Sequence, residues 1–333
     1  MSRKKQLVVI LIATLAIASL VSHVAARALK IRTDAVTPLS FGATNQPVDG
    51  VVAGSSLMFY GVGWAEVART LGMRMQGWAV PAGSVIEMEV LQSQVPSARV
   101  TFLGIGASDL NENYVSDFRS EIVPLSATLA GLWEAHSEWS FARTVLSQYP
   151  LSYLRRLFPT AGRSTTIMVG AREVLRSLRP SKKSNEPSER AVVASESNTH
   201  NENITSWPEA RLIRNIGDMR ASAGGSYTFN GPKRDALLRF MKRGDEMGKM
   251  VMLIMPLSPA YKKEFITESI QQQFNSVLAE AQKKTPDALW IRLDNAPELN
   301  SNAFYWDLVH LNAPGQAIAS RIVLEQLATA GIR

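Results

Sequence analysis

Three short apolar runs near the start of the chain, each stopped by glycine or proline, restrict its architecture more than any other feature. Val51 to Ala53 stops at Gly54-Ser55-Ser56, Met73 to Val80 at Pro81-Ala82-Gly83, and Arg99 to Ile105 at Gly106. Between the first two, Trp64, Val67, Ala68 and Leu71 share one face of a helix expected from about Gly61 to Leu71. Between the second and third, Ser84 precedes a helix reaching about Gln94, and Glu87 three positions on completes a capping-box pattern. Buried strands alternating with helices predict a parallel sheet with right-handed crossovers. Two later runs, Met250 to Met255 and Leu289 to Leu293, extend the alternation. A long helix is expected between them, from about Ala260 to Lys284, and Pro314 starts a last one with Ile318, Ile322, Val323 and Leu327 inward. The expected fold is α/β, a three-layer α/β/α domain over residues 49–333 with a parallel sheet of about five strands.

A long segment interrupts this domain. From Asn111 to about Arg179 the spacing is helical with few strand signals, and helix-compatible stretches resume from Trp207 to Met247. Between them, residues 181–206 are rich in Ser, Asn, Glu and Lys and predict a disordered loop. A connection of this length is no plain loop, so residues 112–248 read as a helical insertion.

The N-terminus carries its own signal. Arg3, Lys4 and Lys5 precede an apolar run from Leu7 to Val21 that weakens through Ser22 and His23 to Ala26. Counted to Ala26, the run approaches the ~20 residues that cross a bilayer. Residues 1–29 are therefore expected to be a cytoplasmic tip and transmembrane helix, with residues 30–48 a polar stalk and the bulk of the chain extracytoplasmic, in the periplasm. Ala26-Arg27-Ala28 also resembles a signal-peptide cleavage site, a competing reading that exports the same bulk. The run's length favours the uncleaved anchor. With no cysteine, disulfides, thiolate zinc sites and thiol catalysis are excluded. The net charge of +7 is concentrated: nine Arg and Lys between Leu151 and Arg190 face three Glu, an excess of +6. That suits a solvated helix face, anionic headgroups or an acidic polysaccharide better than nucleic acid, for which no aromatic-basic module is visible.

Chemistry can be placed by elimination. Of four histidines, His23 lies in the apolar segment, His200 in the polar loop and His136 between Trp133 and Trp139 in a helical stretch. His310 remains, on the loop after the fifth parallel strand, which a parallel sheet brings to the same edge as the Ser55-Ser56 turn. A base within reach of a hydroxyl there, with Asp307 three residues earlier to orient it, is triad logic. Asp307 as a turn residue and His310 as a capping one is the plainer alternative.

Gly54-Ser55-Ser56-Leu57 resembles the G-D-S-L block of the SGNH/GDSL hydrolase superfamily, with Ser55 in the aspartate's place, and Asp307-Leu308-Val309-His310 resembles its closing D-x-x-H block. The similarity covers about residues 49–110 and 249–330. It implies Ser56 as nucleophile, His310 as base and Asp307 as its orienter. It also implies an oxyanion site built from the Ser56 N–H, a second-block glycine (Gly83, with Gly77 a rival) and the third block, here Gly106-Ala107-Ser108-Asp109. Serine stands there in the asparagine's place, so Ser108 or Asn111 would have to donate instead. The layout, with its membrane segment, is similar to anchored members that act on cell-surface or exopolysaccharide esters. The resemblance implies a serine esterase or O-acyltransferase, acetyl in the first instance, with no metal or organic cofactor and a possible membrane protein supplying acyl groups. A catalytically silent module that binds polysaccharide or scaffolds an assembly complex is the alternative.

Overall fold

The computed structural model describes residues 3–28, 39–41, 48–79, 84–91, 98–113, 125–134, 139–147, 149–158, 160, 206–223 and 227–332. The chain divides into two units. One comprises Met1–Val36, Ser120–Leu125 and Glu138–Ser188; the other comprises Thr37–Arg119, Ser126–Ser137 and Glu189–Arg333.

The first unit contains helix α1 (Arg3–Ala28). Among the described residues no helix is long and apolar enough to cross a membrane. Part of the apolar run behind the expected span, the side chains at positions 7–9 and 11, falls outside the described set.

The second unit is built on a six-stranded sheet. Its strands are β1 (Leu39–Phe41), β2 (Gly50–Gly54), β3 (Met75–Ala79), β4 (Val100–Ile105), β5 (Lys249–Ile254) and β6 (Leu289–Arg292), in the order β1-β3-β2-β4-β5-β6. The five later strands are parallel, as the alternation predicted; β1, inside the segment expected to be a stalk, pairs antiparallel with β3 at the edge. Every residue of β2 and β4 is buried, which is why these runs carry Val, Phe, Leu and Ile without polar alternation. The one polar exception, Thr101, satisfies its hydroxyl on the Met247 carbonyl at 2.8 Å.

Helices α2 (Ser56–Gly61) and α3 (Trp64–Thr70) follow β2, α4 (Val85–Leu91) follows β3, and the short α5 (Ala107–Leu110) follows β4. Next in sequence come α6 (Leu125–Glu134) and, in the first unit, α7 (Trp139–Leu146) and α8 (Tyr149–Leu157). Helices α9 (Glu209–Ala223) and α10 (Pro232–Lys242) lead into β5. The helix expected from Ala260 to Lys284 is two, α11 (Pro259–Phe265) and α12 (Glu268–Lys284). Thr267 breaks it by accepting the Ile270 N–H as a new cap. Helix α13 (Ala313–Thr329) ends the fold, burying Val323 and Leu327 as expected, with Ile318 and Ile322 half-buried.

Two helical groups form, α4 with α10 and α12, and α2 and α3 with α13, consistent with a three-layer α/β/α arrangement. An Arg239 to Glu89 ion pair, 2.9 Å between Nη2 and Oε2, joins α10 to α4. The second group is tied where α2 and α3 part: the Gly63 N–H donates to Ser320 Oγ of α13 at 2.8 Å, and Trp64 Nε1 donates to the Met58 carbonyl at 2.9 Å. The expected disordered loop at 181–206 lies outside the described residues except for Ser206.

Candidate active site

The sheet edge concentrates chemistry because of strand order. Counting only the parallel strands, the first lies between the second and the third, so the chain runs to opposite sides after β2 and β4 and leaves a crevice at their carboxyl ends. Gly54 closes β2 there. A Cβ on Gly54 would lie 2.5 Å from Met58 Cβ and 2.7 Å from the Gly104 carbonyl oxygen, so the approach of α2 to β4 requires glycine. Ser55 is extended and caps α2, its hydroxyl accepting the Leu57 N–H at 3.2 Å. A separate short helix thus begins at Ser56, ahead of α3, which occupies most of the span expected to be helical. Ser56 occupies the first helical position, where the backbone N–H has no intrahelical acceptor.

The opposing side chains come from the loop before α13. Asp307 Oδ1 accepts the backbone N–H groups of Val309 and His310 at 2.8 and 2.7 Å, folding the D-x-x-H run back on itself. Trp306 N–H donates to the His310 carbonyl at 3.1 Å, and Tyr305 pairs with Leu311 in an isolated bridge. Asn312 caps α13 through the Gly315 N–H and donates to the Ala303 carbonyl at 2.7 Å. On this loop His310 Nδ1 lies 2.7 Å from Asp307 Oδ2, and His310 Nε2 lies 2.9 Å from Ser56 Oγ. Burial opposes ionisation of Asp307. The His310 imidazole and the two backbone N–H donors outweigh it and hold the carboxyl below the usual carboxylate range. Ser56, His310 and Asp307 therefore form a continuous hydroxyl–imidazole–carboxylate chain, and Asp307 is at the same time a turn residue, its Oδ1 holding the loop while its Oδ2 faces the imidazole.

The expected oxyanion donors fare unevenly. The Ser56 N–H stands at the N-terminus of α2, and Ser108, half-buried, stands in α5 beside the Gly106 turn. Asn111 is buried, its Oδ1 accepting the Asn113 and Thr228 N–H groups and its carbonyl receiving Lys233 Nζ at 2.7 Å. Gly77 lies inside β3, paired with Val52 and not at the edge, so it is no donor. Gly83 lies outside the described residues, as do His136 and His200.

Two features were not foreseen. Asp109 is buried and accepts the Ser55 hydroxyl at 3.1 Å and the Gly106 N–H at 2.9 Å. Burial raises its pKa to about 6, partly offset by the Gly106 and Ser55 donors and by Lys233 and His310. A carboxyl group thus stands beside the Ser55-Ser56 turn. The second is an aromatic wall. Trp306 stacks on His310 with centroids 5.3 Å apart and planes at 17°, Tyr60 meets His310 edge-on at 5.5 Å, and Trp207 meets Trp306 edge-on at 5.4 Å. Arg211 lies over Trp207, 3.7 Å from its centroid. Trp207 is held by its N–H donating to the Trp306 carbonyl at 2.7 Å, and Ser206 by its hydroxyl donating to the Tyr305 carbonyl at 2.7 Å. The residues entering α9 therefore strap the histidine loop. The sequence shows Trp207 at the end of a polar stretch, a sign of docking, but nothing in it says where.

No protein-family model matches the chain, and no curated protein matches it either.

Proposed function

We propose that the protein is an SGNH-type serine ester hydrolase or O-acyltransferase, acting on acetyl or similar esters of cell-surface or exopolysaccharide. The observation that carries this reading is the pair of hydrogen bonds about His310, 2.9 Å to Ser56 Oγ and 2.7 Å to Asp307. Ser56 Oγ attacks the ester carbonyl while its proton passes to His310 Nε2. Asp307 holds the proton on Nδ1 and stabilises the imidazolium. The oxyanion forms against the N-terminus of α2, where the Ser56 N–H and the helix dipole favour negative charge. Collapse expels the alcohol, which takes the proton from Nε2. Water, or a sugar hydroxyl deprotonated by the same nitrogen, then attacks the acyl-enzyme and frees Ser56.

The apolar run after Arg3-Lys4-Lys5 supports an N-terminal anchor that holds this domain outside the cytoplasm, next to a membrane partner supplying acyl groups. Protease protection of spheroplasts checks the topology: an extracytoplasmic domain is digested from outside, a cytoplasmic one is spared. A second reading, a silent polysaccharide-binding module, is favoured by serine at position 108 where the family places an asparagine donor. Incubation with p-nitrophenyl acetate separates the two. The enzyme releases nitrophenolate and Ser56→Ala does not; equal rates remove Ser56 from the mechanism. No turnover by either protein, with salt-dependent binding of an anionic glycan, favours the module.

A further inference from the structure

Two helices of the first unit, α1 and α8, turn large apolar side chains outward, whereas α7 buries Val145 and α8 also buries Tyr149. In a helix packed in a water-soluble protein, large aliphatic side chains face inward and hydroxyls outward. On α1 the inward stripe is Ser19, Ser22 and Ala26, at helical spacing, with Ser22 only 7% exposed. Ile10, Ile12, Leu15, Ile17, Leu20, Val21 and Val24 are exposed, Ile17 at 63%. The inward hydroxyls are bonded to the segment at and beyond the end of α8: Ser19 Oγ donates to the Leu157 carbonyl at 2.6 Å, and Ser22 Oγ lies 2.8 Å from Thr160 Oγ1.

Helix α8 repeats the inversion independently. Pro150, Tyr153, Leu154 and Leu157 follow the i, i+3, i+4, i+7 spacing of one face, joined by Leu151, and all five are exposed, Leu157 at 60%. Ser152 on the opposite side is buried at 2%, its hydroxyl donating to the Tyr149 carbonyl. Trp139, which opens α7, is 75% exposed. Small and hydroxyl-bearing residues between helices, with aliphatic residues outward and tryptophan at the margin, are the pattern of helices in lipid.

Charge specifies the lipid. The segments of this unit contain fifteen Arg and Lys against five Asp and Glu, a net +10; the remaining segments contain twenty-one against twenty-four, a net −3. The basic excess of the whole chain therefore resides in the unit that carries the exposed apolar faces of α1 and α8. Anionic headgroups complement it, each basic residue near the surface contributing attraction that salt weakens.

We infer that the exposed faces of α1 and α8 are covered by an anionic lipid bilayer, with α8 lying at the boundary between headgroups and acyl chains. This stands independently of the ester-transfer reading, which concerns the second unit. Its consequence is functional: a second membrane contact, from within the insertion, in addition to the N-terminal helix.

The absence of native cysteine allows a direct test in the full chain. Leu154→Cys and Leu157→Cys, both at exposed positions, are labelled with an environment-sensitive nitrobenzoxadiazole, with Arg220→Cys on α9 as the control. The proteins are reconstituted into phosphatidylethanolamine–phosphatidylglycerol vesicles containing acyl-chain nitroxides. The expected result is a blue shift and loss of most emission at positions 154 and 157, no change at 220, and a weaker effect in pure phosphatidylcholine. Water-like, unquenched emission at 154 and 157 would overturn the inference. So would a blue shift that appears in detergent without vesicles and grows with protein concentration, which would identify a second copy as the cover. Equal quenching in neutral vesicles would overturn the role given to charge.

Discussion

The Ser55 hydroxyl donates to the Asp109 carboxylate across 3.1 Å, linking the turn after β2 to the turn after β4 at the strand ends where the sheet divides. Asp109 also receives the Gly106 N–H, so one buried carboxylate fixes both walls of the crevice in which Ser56 stands. This contact has measurable consequences for stability.

Burial raises Asp109 from 3.8 to about 6 and Glu87 from 4.5 to about 7, so both bind a proton more tightly in the folded chain than in the unfolded one. Their contribution to stability is therefore full below pH 4 and is lost as pH rises through about 6 and about 7. Asp109→Asn keeps an acceptor for Ser55 and Gly106 but removes the ionisation. The dependence of denaturation midpoint on pH between 4 and 6 should flatten in this variant. Asp109→Ala strands both donors and should destabilise by about 1–3 kcal/mol per stranded group at every pH. Midpoints of Asp109→Asn that track the wild type across the range would remove Asp109 from the linkage.

Asp307→Asn should leave the fold standing, because an amide oxygen still accepts the Val309 and His310 N–H groups. It replaces the carboxylate at His310 Nδ1 with a group that no longer fixes the tautomer. Turnover of p-nitrophenyl acetate should fall by about 10⁴-fold. Circular dichroism and turnover measured on the same preparation check both halves of this expectation.

Trp306 presents its ring face to His310, the imidazole that the proposed mechanism charges. Removing a cation–π contact of about 0.5–2 kcal/mol predicts a loss of about 2–30-fold in kcat for Trp306→Leu, with KM little changed and Trp306→Phe partly restored. A change confined to KM would make Trp306 a substrate contact and not a support for His310.

Gly54→Ala should be poorly tolerated. Its Cβ would meet Met58 Cβ and the Gly104 carbonyl oxygen at 2.5 and 2.7 Å, both fixed by packing. Overpacking of this kind costs about 1–3 kcal/mol, and a chemical denaturation curve should show at least that much lost.

Much of this arrangement was legible because it rests on short-range chemistry. The five parallel strands announced themselves as short, mostly apolar runs, and Ser84 with Glu87 as a helix start; Ser84 Oγ does donate to Glu87 Oε2, at 2.7 Å. The pairing of Ser56 with His310 followed from topology, since parallel strands bring their following loops to one edge. What stayed hidden depends on contacts between distant segments. The three residues Leu39 to Phe41 carry too little pattern to mark a strand, and only pairing with β3 makes them one. Asn111 was one of two residues, with Ser108, offered as a substitute oxyanion donor because it follows the third block closely. No local spacing shows that its amide oxygen fastens the backbone at Thr228, 117 positions later. The wall of Trp207, Trp306 and Tyr60 joins three regions that no local spacing relates.

The central claim, that Ser56 is a nucleophile activated by His310, is tested most directly by covalent trapping. The intact protein is treated with an organophosphonate that phosphonylates activated serines, and its peptides are mapped by mass spectrometry. The account predicts a single adduct on Ser56 in the wild type and a greatly slowed reaction in His310→Ala. An adduct on Ser55 or another serine, or labelling of Ser56 at the same rate without His310, would contradict it.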